Sequence, residues 1–245
     1  MEEQFEMLKM KNAIKIFFIF WLPLFSEPDL YYKLPYETPF TQINSYTSNL
    51  DNKNCTIQIT YPILDPIDGK ITQNSKIRLN KFLRNKFFEA RHFNDDVGCN
   101  SKFRKVDKAY YMEINFEITM NFDSYVSMVY SAIGYPAGAK KTSITKRGLT
   151  LNLTEGYPIL FAELFRKDSG YRRILDDTLI EILLEKGMIN EMEEFEIYKK
   201  KSYEFALTDK MLIILLEGNK QMRTLEVFIP YGRIKKILNK ELFID

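Results

Sequence analysis

Histidine and cysteine are nearly missing from this chain, which has one His and two Cys in 245 residues. A single imidazole excludes every metal site that needs two or more His ligands, the His-rich zinc sites among them. Two Cys exclude a structural zinc ribbon and a disulfide-dense mini-scaffold. A dominant charge is missing too. The 35 Lys+Arg stand against 33 Asp+Glu and leave a formal +2, without the basic excess that marks nucleic-acid binders. Nucleic acid is therefore not an expected partner. No metal-ligand or cofactor motif is present, so no cofactor is expected, and no internal repeat or low-complexity tract interrupts the chain. What remains is an ordinary globular composition, 45% hydrophobic and 28% charged. Its length suits one large domain or two small ones with an adequate core.

The N-terminal region points to a compartment. Residues 16–26 (IFFIFWLPLFS) form an uncharged run of eleven. A spanning helix needs about 20 apolar residues, whereas the apolar core of a secretory signal has about 7–15. Lys9, Lys11 and Lys15 precede the run as a basic flank. Glu2, Glu3 and Glu6 depart from the signal pattern, and a start at Met10 would give a better one. Ser26 suits the last position before a cleavage site, but Leu24 is not the preferred small residue, so an uncleaved anchor is the alternative. A buried helix of a cytosolic protein is the other. The expectation is a signal peptide or anchor over residues 1–26 and an extracytoplasmic protein: periplasmic, secreted or membrane-anchored. Contact with a membrane is expected only through that segment. Residues 27–54, punctuated by Pro28, Pro35 and Pro39, read as an extended linker. In an exported protein Cys55 and Cys99 are candidates for a disulfide, the alternative being two buried thiols.

From residue 55 onward, sheet and helix patterns alternate. Residues 55–61 (CTIQITY) place Ile57, Ile59 and Tyr61 on one side of a strand that Pro62, Pro66 and Gly69 should end. Leu79, Phe82, Leu83, Phe87 and Ala90 share a helical face across 75–93. Residues 110–121 (YYMEINFEITMN) alternate throughout, the pattern of a sheet with one wet face, which favours antiparallel pairing. A turn at FDS leads to a strand over 125–132, and residues 142–153 read as a hairpin turned at Gly148. A short helix over 158–165 and an amphipathic one over 171–186, stopped at Gly187, come next. Strands over 203–207, 211–216 and 225–229 and a terminal helix over 234–238 complete the series. The predicted class is α+β: an antiparallel sheet, a meander plus C-terminal strands, packed with helices. The domain spans 55–245, with a division into two subdomains near 105–110 as an alternative.

Read in order, ITYP before a helix, the long alternating strand, a GA-containing loop, LFAELF, YEFALTDKMLII and VFIPYGRIKKIL resemble one extracytoplasmic domain. It is shared by RsiV-type anti-sigma factors and PdaC-type peptidoglycan deacetylases, and is otherwise a domain of unknown function. The resemblance covers about residues 55–238. Two departures stand out. Where the family carries Gly-Gly-Ala-His, this chain has Ala137, Gly138, Ala139 and Lys140, so Lys140 replaces the His. The connection before the last IPY strand is short, residues 217–224 (EGNKQMRT). With at most fifteen residues ahead of the apolar run, a cytoplasmic sigma-binding region is not expected, and neither is a deacetylase domain after the last helix. The resemblance thus implies the binding or sensing module alone. The anti-sigma members bind lysozyme, so it implies a cell-wall enzyme or peptidoglycan as partner.

Candidate sites follow. The loop GYPAGAKK supplies Tyr135, Gly138, Lys140 and Lys141 as binding residues, with Lys146 and Arg147 adding a basic end to the hairpin and Gly134 permitting an unusual backbone path. A thiol site built from Cys99 or Cys55 with His92 has no recognised motif. His92 suits a helix end. Glu191, Glu193, Glu194 and Glu196 lack the loop spacing of a calcium site and sit beside Lys199, Lys200 and Lys201, as a solvated charged face does. Asp176 and Asp177 are adjacent in a helix and so point apart. No catalytic residues emerge. The expected role is a non-catalytic envelope binding or sensing module. A wall-acting hydrolase and a structural envelope protein are the alternatives.

Overall fold

One strand, Tyr110–Phe122, organises the larger of two sheets. The structure is a computed structural model that describes residues 41–52, 55–67, 71–92, 110–135, 142–217 and 224–239. The larger sheet runs in the order β1 (Thr41–Asn52), β2 (Cys55–Pro66), β3 (Tyr110–Phe122), β4 (Tyr125–Tyr135), β5 (Ser143–Asn152), β6 (Tyr157–Pro158). All its pairings are antiparallel except β2 with β3, which is parallel over Cys55↔Tyr110 to Ile59↔Ile114. The crossover between those strands carries α1 (Gln73–Glu89). A smaller antiparallel sheet holds β7 (Glu204–Leu207), β8 (Met211–Leu216) and β9 (Leu225–Pro230), flanked by α2 (Tyr171–Glu185) and α3 (Tyr231–Ile234). The class is α+β, as expected.

The predicted periodicities are realised in the packing. Leu79, Leu83, Phe87 and Ala90 of the first helical segment are buried, with Phe82 at its margin. They cover the apolar face formed by Ile57 and Ile59 of β2, Met112 and Ile114 of β3, and Met128 and Tyr130 of β4. A second cluster lies between α2 and the small sheet, where Leu175, Leu179, Ile182 and Leu183 meet Phe205, Leu212, Ile214 and Val227. Gly187 follows α2 at φ 62°, the left-handed conformation of a helix stop.

Four expectations are overturned. First, the linker is shorter than 27–54, because β1 occupies Thr41–Asn52 and pairs with β2 along its whole length. Second, β2 passes through Pro62 to Pro66. The Asn80 side chain explains why. Its amide accepts from Leu64 N–H at 2.8 Å and donates to Leu64 C=O at 2.9 Å, replacing the strand that β3 supplies only as far as Ile59. Pro62, two residues earlier, directs its backbone to the same side, where no strand asks it for a donor. Third, residues 142–153 are not a hairpin. Ser143–Asn152 is one strand, and Gly148 lies in its middle, paired with Val129. A β-carbon on Gly148 would stand 2.9 Å from Phe205 Cα and closer still to its carbonyl, so the glycine admits the backbone of β7. Fourth, no division into subdomains separates β2 from β3, which are neighbours in one sheet, while residues 105–109 lie outside the described residues.

The small sheet docks on the face of β4 and β5 opposite α1. Val129 is buried there with Ala206, Ile213 and Leu215. Ser127 Oγ accepts from Leu207 N–H at 2.7 Å and lies 2.9 Å from Thr150 Oγ1, all of it buried. Covered on both faces, β4 reads as the near-continuous apolar run VSMVYSAI.

A candidate binding face

Because the small sheet lies mainly on β4 and β5 and reaches β3 only towards Met120, the corresponding face of β2 and of the first part of β3 stays open. Alternation brings Thr56, Gln58 and Thr60 of β2 beside Tyr111, Glu113, Asn115 and Glu117 of β3. None of these seven is buried. The register sets Tyr111 opposite Tyr135, the last residue of β4. Their rings lie 5.5 Å apart with planes at 40°, and Tyr135 keeps 40% of its surface exposed.

The polar groups are held in place. Tyr111 OH donates to Gln58 Oε1 at 2.9 Å, and Asn115 Nδ2 donates to Glu113 Oε1 at 2.5 Å. Removal from water, then the Glu113 carboxylate, then Tyr135 push the Tyr111 phenol above its ordinary value. The arrangement offers aromatic surface with fixed donors and acceptors, the chemistry of recognition.

The sequence-predicted sites divide. Tyr135 falls on this face, whereas Gly138, Lys140 and Lys141 lie outside the described residues. Lys146 and Arg147 are not a basic tip. Lys146 Nζ is 2.5 Å from Glu226, and Arg147 reaches Glu217 at 2.8 Å and Glu204 at 3.6 Å. These pairs tie β5 to the small sheet, and the Glu217 carboxyl is held below its usual range by hydrogen bonding from Lys200 first and by Arg147 as well. Gly134 follows no unusual path. It pairs with Met112 and Ser143 in the sheet, and its missing β-carbon leaves room for the Tyr110 hydroxyl and Ser143. The sequence does not single out Gln58 and Tyr111, although the alternation of β3 sets Tyr111 on its polar face.

The remaining candidates disperse. Cys55 is buried at the start of β2, and Cys99 lies outside the described residues. His92 ends the short 3-10 turn after α1, accepting from Arg91 Nε at 2.9 Å. Glu194 accepts from Asn190 N–H at 3.1 Å, and Glu196 pairs with Lys199 at 3.0 Å. Asp176 accepts from Tyr203 OH at 3.1 Å, while Asp177 is exposed. Among the described residues, no three His, Cys, Asp or Glu gather in a way that could hold a metal ion. No helix among them is long and apolar enough to cross a membrane. The N-terminal apolar run lies outside the described residues.

No family model matches the sequence, and no curated protein does. Solved structures do match. A DUF3298 family member from Bacteroides fragilis aligns with a TM-score of 0.58 at 15% identity, covering 82% of this chain and 95% of its own. A DUF3298 family protein from Pseudomonas aeruginosa gives 0.57 at 10% identity, covering 84% and 97%. The chain shares the fold of these DUF3298 proteins. At such identities the likeness carries architecture and nothing about ligands.

Proposed function

We propose that this chain is a non-catalytic binding or sensing module of the bacterial cell envelope, related to the RsiV/PdaC-type domain. The observation that carries the reading is the open face, where Tyr111, Tyr135 and Gln58 form a prearranged aromatic and hydrogen-bonding patch. Lys140 and Lys141, which follow Tyr135 closely in sequence, are included in the proposal as basic contributors to binding. The family resemblance supplies the partner class, a lysozyme-like cell-wall enzyme or peptidoglycan, with Tyr111 and Tyr135 as anchors. Immobilised protein should bind lysozyme or purified peptidoglycan saturably and without turnover. Tyr111→Ala with Tyr135→Ala should weaken that capture by about tenfold or more, and Lys140→Glu with Lys141→Glu should weaken it too. Product formation would instead establish a hydrolase. Absence of binding to either probe would leave a structural envelope protein.

Export belongs to the same proposal. The apolar run directs the chain out of the cytoplasm, where Cys55 pairs with Cys99. Closing a loop of that size stabilises a fold by roughly 4 kcal/mol in the chain-entropy model. Mass mapping of the exported protein under non-reducing conditions should find one Cys55–Cys99 peptide pair. Two free thiols would refute the pairing.

A further inference from the structure

Natural sheets protect their edges with short strands, lysines, prolines or bulges. The large sheet does so at one end only, where β6 is two residues long and ends in Pro158. At the other end β1 runs for 12 residues, TQINSYTSNLDN, without a Lys, Arg or Pro. Its pairing with β2 is continuous from Thr41↔Pro66 to Asn52↔Cys55, without a bulge. Among the described residues, no strand pairs with its outer side.

The direction of its free backbone groups follows from Asn80. Leu64 gives its N–H and C=O to that side chain, so its partner Ile43 exchanges no bonds with it and faces outward. By alternation Thr41, Ser45, Thr47, Asn49 and Asp51 face outward too, and the Thr41 carbonyl already accepts from Asn121 Nδ2 at 3.1 Å. The rest of the set, Ile43 to Asp51, is symmetric about Thr47. Laid antiparallel on itself, Thr47 meets Thr47, Ser45 meets Asn49 and Ile43 meets Asp51, so every outward donor finds an outward acceptor. The sole charge, Asp51, faces an isoleucine and not its own copy, so the register opposes no like charges. The side chains agree. Thr47 Oγ1 already lies 3.1 Å from Thr60 Oγ1, and the axis would extend this into a ladder of hydroxyls across both copies.

We infer that β1 pairs antiparallel with β1 of a second copy of this chain, joining the two large sheets across a two-fold axis at Thr47. The contact is isologous and therefore closes as a dimer without growing into a fibre. It does not depend on the function proposed above.

The test is sedimentation equilibrium of the full chain, with hydrogen exchange read at several concentrations. A reversible monomer–dimer equilibrium is expected, with exchange at Ser45, Thr47 and Asn49 slowing as concentration rises. Thr47→Pro removes the central donor and should give monomer. Thr47→Lys with Asn49→Lys keeps every backbone group but brings ammonium groups of both copies onto one seam. It should weaken the dimer about 100-fold or more while leaving the circular dichroism unchanged, and it decides the matter if the proline variant fails to fold. A protein monomeric at every concentration would overturn the inference. So would a dimer that survives the paired lysines, or exchange at those amides that ignores concentration.

Discussion

Gly148→Val is expected to unseat β7 from β5 and to lower the free energy of unfolding by about 3 kcal/mol. The valine side chain would have to occupy the space filled by the Phe205 backbone, and backbone cannot rotate aside as a side chain can. Relief requires the small sheet to lift. That would strain the Ser127–Leu207 hydrogen bond and the Arg147 and Lys146 ion pairs with Glu217 and Glu226. Urea unfolding of the variant measures the loss. Gly232→Ala is the control, because a β-carbon there meets nothing within 4 Å, and it should be neutral or slightly stabilising. A Gly148→Val protein within about 0.5 kcal/mol of the parent, the usual range for surface changes, would show that β7 does not rest on β5.

Phe87→Ala is the second change with a large expected effect, about 3–5 kcal/mol. Phe87 is fully buried. Its ring lies 4.9 Å from that of Tyr130 and 5.8 Å, edge to face, from that of Phe116. Truncation removes both contacts and leaves a cavity under a sheet whose other face is pinned by the small sheet, so little collapse can refill it. Thermal unfolding followed by circular dichroism checks this. A loss below about 1 kcal/mol, the typical point-mutant value, would mean that α1 is not anchored through Phe87.

Much of this architecture was legible in the residues. Alternation in β3 and the helical spacing of Leu79, Leu83 and Phe87 are local signals, and the burial pattern follows both. What escaped depended on partners distant in sequence. Gly148 looked like a turn because glycine usually signals one, yet its cause is Phe205, a residue of another sheet. Pro62 looked like a strand end because nothing nearby announces that Asn80 stands in for a neighbouring strand. Polar β1 has no apolar stripe and therefore reads as linker until β2 gives it a register. The candidate face was half legible. Tyr135 is marked by its loop sequence, whereas Gln58 and Tyr111 come together only when the parallel pairing of β2 and β3 sets their strands side by side.

That parallel pairing has a mechanical consequence. The β1–β2 hairpin and the β3–β4–β5 meander are each built from strands adjacent in the chain. They meet along five residue pairs, Cys55↔Tyr110 to Ile59↔Ile114. Contacts between distant segments form late because the chain entropy between them must be lost first. The weld between the two ribbons should therefore close last in folding and shear first when the protein is pulled from its N-terminal side. A tug arriving through the N-terminal end would part that weld while leaving both ribbons whole.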